Sequence, residues 1–200
     1  MVYFYQLKRA EFWLAMVTLL SVLAIDVLPG LIIGVVCSLA VVIYRSSRPY
    51  SSVLGQVPEA PGVYGDIQEH PENKTIPGLL IFQLSITLYY ANARLMRDRL
   101  KALVKASQPR PHTVLLDMVN NYNLDITSAE MLETLVEEFR KDGIEVMLAE
   151  VHEPVKQMAR HSGLMEKIGE NHIFPSVDAA VQLFLRDGKT GAYEINSEQQ

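Results

Sequence analysis

Two hundred residues, 49% of them hydrophobic and 20% charged, supply a real core and suit one ordinary domain plus an appendage rather than a disordered chain. A formal charge of −5 and a pI near 5.5 exclude a nucleic-acid partner, because neutralising phosphates needs clustered Lys and Arg. That average conceals a split: residues 1–50 carry Lys8, Arg9, Arg45 and Arg48 against Glu11 and Asp26, whereas residues 51–200 hold 14 basic and 21 acidic side chains.

From Phe12 to Tyr44 the only ionisable side chains are Asp26 and the weak acids Cys37 and Tyr44. This run is too long for a signal-peptide core and reads as a membrane segment. Pro29-Gly30 divides it into Phe12–Leu28 and Leu31–Tyr44, the second short against the roughly 17–25 residues a crossing needs. Lys8-Arg9 and Arg45/Arg48 flank its outer ends, so a hairpin with both ends cytoplasmic satisfies the preference of positive charge for that side. Asp26 then sits at the hairpin tip, and Phe12, Trp13 and Tyr44 act as interfacial anchors. Short helices meeting at Pro-Gly need other protein to cover the freed backbone groups, which makes the hairpin a piece of a larger bundle. Cys37, alone in an apolar run, is a packing residue.

The expected boundaries are a transmembrane hairpin over 1–47, a polar, Pro-punctuated linker over 48–61, a soluble domain over 62–187 and a frayed tail over 188–200. Within the domain Val63–Ile67 and Leu79–Leu84 read as strands. Asn92–Lys105 follows as an amphipathic helix, stopped by Pro109 and Pro111. Thr113–Met118 contains the apolar run Val114-Leu115-Leu116 and reads as the central strand of a mixed sheet with helices mainly on one face. Asn120-Asn121-Tyr122-Asn123 breaks both periodicities. Thr127-Ser128-Ala129-Glu130 fits a capping box, with the Thr127 hydroxyl accepting from Glu130 N–H at the start of a helix that runs to about Asp142 before Gly143. Glu145–Ala149 is a further strand. A helix from about Pro154 ends at Ser162-Gly163, Ile173-Phe174 is a short strand, and Ser176 caps a last helix through Leu185.

The loop between the central strand and its helix forms a rim at the positive end of that helix, where open α/β sheets commonly bind ligands or partners. Its candidate contact residues are Asn123, Leu124, Asp125, Thr127, Ser128 and Glu130, with Thr127 and Ser128 as hydroxyls able to take a phosphate. Thr127 has an adequate structural duty as helix cap, although phosphate at a helix N-terminus is electrostatically favourable. Other chemistry is thin. His70, His112, His152, His161 and His172 show no HExxH pattern, and Glu150 with His152 lacks a third ligand, so no metal or other cofactor is expected. Asp117 and Asp125 imitate a catalytic pair, but local backbone hydrogen bonding accounts for both. Asn92, Arg94 and Arg97 read as a solvated helix face before an anion site. No enzyme activity is expected.

At these residues the soluble half resembles a STAS domain, the sulfate-transporter and anti-sigma-antagonist module, and the preceding hairpin resembles the last two membrane helices of SulP-family anion transporters. The resemblance rests on the order and spacing of Arg48-Pro49, Val53 through Pro58, Ile76-Pro77-Gly78-Leu79-Leu80, Leu88 through Ala93, Leu115-Leu116-Asp117, Leu124 through Thr127, and Ser162-Gly163-Leu164 through Pro175. It implies the C-terminal part of a secondary transporter of sulfate, bicarbonate or a similar anion. Gate-domain helices and a cytoplasmic regulatory domain are implied, with substrate bound on helices outside this chain and no transport by this piece alone. The implied partners are the remaining transporter helices, on the same or another chain, and a second STAS domain or a regulatory protein. Because STAS modules also occur alone, a membrane-tethered module that contacts a protein or nucleotide is the alternative. Two departures matter. The family has Phe where Tyr90 stands, and the phosphorylatable serine of anti-sigma antagonists falls on Ile126, which has no hydroxyl.

Overall fold

The computed structural model describes residues 2–46 and 51–186, and side chains from Phe12 to Tyr44 and across 51–186. The chain forms two compact units, Met1–Arg48 and Pro49–Gln200. The first is a pair of packed helices, α1 (Val2–Ala24) and α2 (Val27–Ser46). The break falls at Ile25-Asp26 and not at Pro29-Gly30. Asp26 Oδ1 accepts from Val27 N–H at 2.7 Å and opens α2, which places Pro29 in the first turn, where a missing N–H has no helical partner to lose. Val27–Tyr44 is consequently 18 residues of unbroken apolar helix, long enough to cross a membrane, which corrects the short second piece. The apolar stretch of α1, Phe12–Ala24, is shorter.

Small residues let the two helices approach. A Cβ on Gly30 would lie 2.5 Å from the Val22 backbone nitrogen, and one on Gly34 2.6 Å from Thr18 Oγ1. Thr18 and Ser21 donate their hydroxyls to the carbonyls of Leu14 and Val17, so neither carries an open donor along α1.

The second unit is built on six strands in the order β2-β1-β3-β4-β5-β6: β1 (Ser51–Gln56), β2 (Tyr64–Asp66), β3 (Leu79–Leu84), β4 (Thr113–Asp117), β5 (Glu145–Ala149) and β6 (Ile173–Phe174). β1 is antiparallel to β2 and β3, and β3 to β6 run parallel. Ser51–Gln56 lies within the stretch expected as linker. Its local composition is that of a loop, but its ladders to Phe82 and Asp66 and the burial of Val53 and Leu54 make it an interior strand. Gly55 is required there, since a Cβ would meet Ile67 Cγ2 at 2.8 Å and the Asn73 carbonyl carbon at 3.0 Å.

Alternation along the strands divides the core. Leu80, Phe82, Val114, Leu116, Val146 and Leu148 face α3 (Ala93–Ala106), α4 (Ile126–Lys141), α5 (Glu153–Ser162) and the short α6 (Leu164–Ile168). Leu79, Ile81, Leu115 and Met147 face the other way, where Val177, Ala180 and Val181 of a last helix over 177–186 cover them. Helices therefore lie mainly on one face, and the last helix closes the other. Every residue of β4 is buried, with Val114 and Leu115 at 0% exposure, as its two-sided apolar run requires. The expected tail over 188–200 lies outside the described residues.

Candidate functional site

The carboxyl edge of the parallel strands carries three loops, from β3 to α3, from β4 to α4 and from β5 to α5. Side-chain amides tie the first two together. Asn121, fully buried, accepts the Leu88 N–H on Oδ1 at 2.8 Å, and Asn120 Nδ2 donates to Leu84 O at 3.3 Å. Thr87 Oγ1 donates to Asn120 O at 3.0 Å. Asn92, also at 0% exposure, accepts from Tyr89 N–H and donates to Thr87 O, so it clamps its own loop and is no anion ligand. The third loop joins through His152, whose Nε2 lies 2.8 Å from Val119 O and whose ring stacks on Tyr122 with centroids 4.4 Å apart.

Asp125 is the N-cap of α4. Its backbone is extended (φ −83°, ψ 165°), Oδ1 accepts from Ser128 N–H at 2.7 Å and Oδ2 from Tyr90 N–H at 2.7 Å. This corrects the capping box on Thr127. The helix begins two residues earlier than that reading, which leaves Thr127 exposed in the first turn and Glu130 exposed beyond it. A carboxylate serves here better than a hydroxyl because it accepts two backbone donors at once, one from a loop 35 residues away. Burial pushes the Asp125 carboxyl up, but its hydrogen bonds with Ser128 and Tyr90 outweigh that and hold it below its ordinary value.

The candidate rim residues divide by exposure. Leu124 and Ser128 are buried, at 1% and 0%; Asn123, Thr127 and Glu130 are exposed, and Asp125 is half-buried. Asn123 Oδ1 accepts from Leu124 N–H at 2.9 Å, fixing the entry to the cap. Of the two hydroxyl residues, Thr127 is exposed and Ser128 is buried. Ile126 and Tyr90 project from the rim at 57% and 72% exposure, so the Tyr90 hydroxyl reaches solvent and needs no buried partner.

Asp117 is 3% exposed, accepts from Gln83 Nε2 at 2.7 Å and from Val119 N–H at 3.0 Å, and locks β3 to β4 in place of any acid–base role with Asp125. Arg97 pairs with its neighbour Asp98 at 3.3 Å on the surface of α3. Among the described residues no three His, Cys, Asp or Glu side chains converge as a metal would require. Asn92, Asn121 and the Tyr122–His152 stack escape sequence reasoning, because a polar run such as Asn120-Asn121-Tyr122-Asn123 carries no local mark of which amide is buried.

The fold and its rim define a STAS module: the profile of the STAS domain family matches residues 70–180, and the chain belongs to that family. Its relatives carry the match beyond the domain. A probable sulfate transporter of Mycobacterium tuberculosis is 33% identical over 90% of this chain and 32% of its own length, and sulfate transporter 1.1 of Arabidopsis thaliana 29% identical over 88% and 28%. The structure of the murine solute carrier 26 family member A9 anion transporter superposes with a TM-score of 0.73 at 26% identity, over 91% of this chain and 30% of that one. The STAS domain of a Vibrio cholerae SulP transporter, at 21% identity and a TM-score of 0.51, shares the fold over 62% of this chain and 94% of its own. The chain spans about a third of the length of the curated sulfate transporters it matches.

Proposed function

We propose that this chain is the C-terminal portion of a SulP-type secondary anion transporter. It supplies two helices of the membrane gate domain and a regulatory STAS domain on the cytoplasmic side, and it does not transport alone. The supporting observation is that similarity to sulfate transporters covers 90% of the chain, more than unit 2 over Pro49–Gln200 contains, so it runs into the apolar helices. The exposed apolar faces of α1 and α2, including Leu20, Leu23, Leu31, Val35 and Leu39, fit burial against lipid and further transporter helices. Arg45, in the last turn of α2, and Arg48, beyond it in sequence, favour the cytoplasm for unit 2. Within that unit the rim, Asn123 to Glu130 with Tyr90, is the surface through which the domain acts on the transporter.

The test is sulfate and bicarbonate uptake into proteoliposomes. The chain alone is expected to match empty vesicles, and the chain assembled with the remaining membrane helices to exceed them. Ile126→Asp in that assembly should change the uptake rate severalfold at unchanged protein level. Uptake by the chain alone would refute the division of labour, and an Ile126→Asp assembly with wild-type rates would refute the regulatory rim.

A further inference from the structure

Strand pairing decides where the chain enters unit 2. Ser51, the first residue of β1, lies opposite Leu84, the last of β3, so β1 begins at the carboxyl edge, beside the three rim loops. Only residues 47–50 separate it from the apolar helix α2, a length that bridges at most roughly 18 Å. The same edge has an unusual surface. Seven large hydrophobic side chains of unit 2 are exposed among the described residues, and four of them, Ile86, Tyr90, Tyr122 and Ile126, are on these loops or the first turn of α4. Isolated exposed apolar residues are ordinary, but here most sit on one edge. Their positions are held: Tyr90 N–H is bonded to the cap that starts Ile126, and Tyr122 is stacked on His152.

Arg94, exposed in the first turn of α3, adds a long side chain whose stem can lie along apolar surface while its guanidinium reaches phosphate. Tyr rings with a polar tip, flanked by Arg and Ile, are the composition of a surface seated at the membrane–water interface. The attraction is chiefly apolar: exposed Glu130 offsets the single positive charge that Arg94 adds, and Asp125 is already engaged by two backbone donors.

We propose that Tyr90, Tyr122 and Ile126, with Ile86, seat the rim in the phospholipid headgroup layer of the bilayer that α2 crosses. This deepens the reading of the rim as the regulatory surface and rests on α2 being membrane-embedded. Four side chains hold a free domain weakly, but a short tether keeps the local headgroup concentration high, so a weak contact suffices and is readily released. Docked and released rims are then two states of the domain, and any modification of exposed Thr127, beside Ile126, biases them toward release.

The full chain is reconstituted into phosphatidylcholine vesicles with a minor share of phosphatidylglycerol. Ile126→Cys and, separately, Tyr122→Cys carry an environment-sensitive fluorophore in a Cys37→Ser background, and doxyl-labelled lipid serves as quencher. Ala106→Cys, at the far end of α3, is the control. Labels at 126 and 122 should be quenched by shallow doxyl lipid at least twofold more than the label at 106. Equal quenching at the three positions overturns the proposal. So does a blue-shifted label at 126 that lipid fails to quench, since a protein then covers the rim. Native Cys37, labelled in the unmodified chain, should be quenched by deep doxyl lipid. If it is not, the membrane assignment of α2 fails and the inference with it, whereas quenching at Cys37 without quenching at 126 defeats the rim contact alone.

Discussion

Replacing Asp125 by Ala removes the cap of α4 and the acceptor of Tyr90 N–H in one step. Loss of an Asp cap costs about 0.5–2 kcal/mol. The second bond is to a backbone donor that water can reach, so its loss adds about 0.5–1 kcal/mol rather than the full penalty of a buried orphan. Asp125→Ala is therefore expected to destabilise unit 2 by roughly 1–3 kcal/mol. Asp125→Asn, which keeps an acceptor, should lose less than half of that, and Thr127→Ala should shift stability by less than about 0.5 kcal/mol, as exposed substitutions do. The assay is the urea midpoint of residues 49–200 and of the three variants, compared at constant slope so that a shift reports stability. The pH dependence is a second readout. A carboxyl held below its ordinary value when folded contributes stability that is intact above the unfolded pKa, about 3.9, and lost as pH falls through the lower folded value. The gap between wild type and Asp125→Ala should accordingly be full at neutral pH and narrow in acid below that point. A large loss in Thr127→Ala with none in Asp125→Ala would refute the cap assignment, and a gap independent of pH would refute the role of the charge.

Tyr64 Oη donates to Asp178 Oδ1 at 3.1 Å, joining β2 to the last helix, and burial followed by the Asp178 hydrogen bond and charge pushes its pKa up to about 12. Stability from this contact should be full below about pH 10 and lost between there and pH 12; one tyrosine that ionises only near pH 12 in an ultraviolet titration, absent in Tyr64→Phe, checks it. A truncation beginning at residue 62 removes β1, which lies between β2 and β3, and should yield a partly unfolded or aggregating product, whereas residues 49–200 fold; amide exchange of the two fragments decides. In the helix pair, Gly30→Ala meets the backbone of Val22 and should lower thermal stability in detergent more than Gly34→Ala, whose Cβ meets side-chain atoms of Thr18 and no backbone within the same distance. Equal effects of the two would count against the close approach at Gly30.

Local pattern was sufficient for much of this protein. The two-sided apolar run Val114-Leu115-Leu116 marks the central strand because a strand buried on both faces needs no alternation, and the structure leaves it 0–2% exposed. The stripe of α3, the glycine stop at Gly143 and the left-handed Gly163 that ends α5 are likewise written in neighbouring residues, since helix periodicity and caps act within a few positions. The rim as a place was legible for the same reason, a strand followed by a loop and a capped helix.

What sequence left open were choices between near-equal local options. Asp125 and Thr127 are both good caps, and the Tyr90 N–H, delivered by another loop, settles the matter for the residue that can accept twice. Pro29-Gly30 and Ile25-Asp26 are both plausible breaks, but a proline is harmless in a first turn, and Asp26 supplies an acceptor where the helix starts. Ser51–Gln56 has the composition of a linker and becomes a strand because β2 and β3 offer its backbone ladders on both sides. Which of the adjacent asparagines is buried depends on the Leu88 N–H that the β3–α3 loop delivers, and that four exposed apolar side chains share the edge where the chain enters depends on the antiparallel placement of β1; both are long-range pairings that no window of neighbouring residues contains.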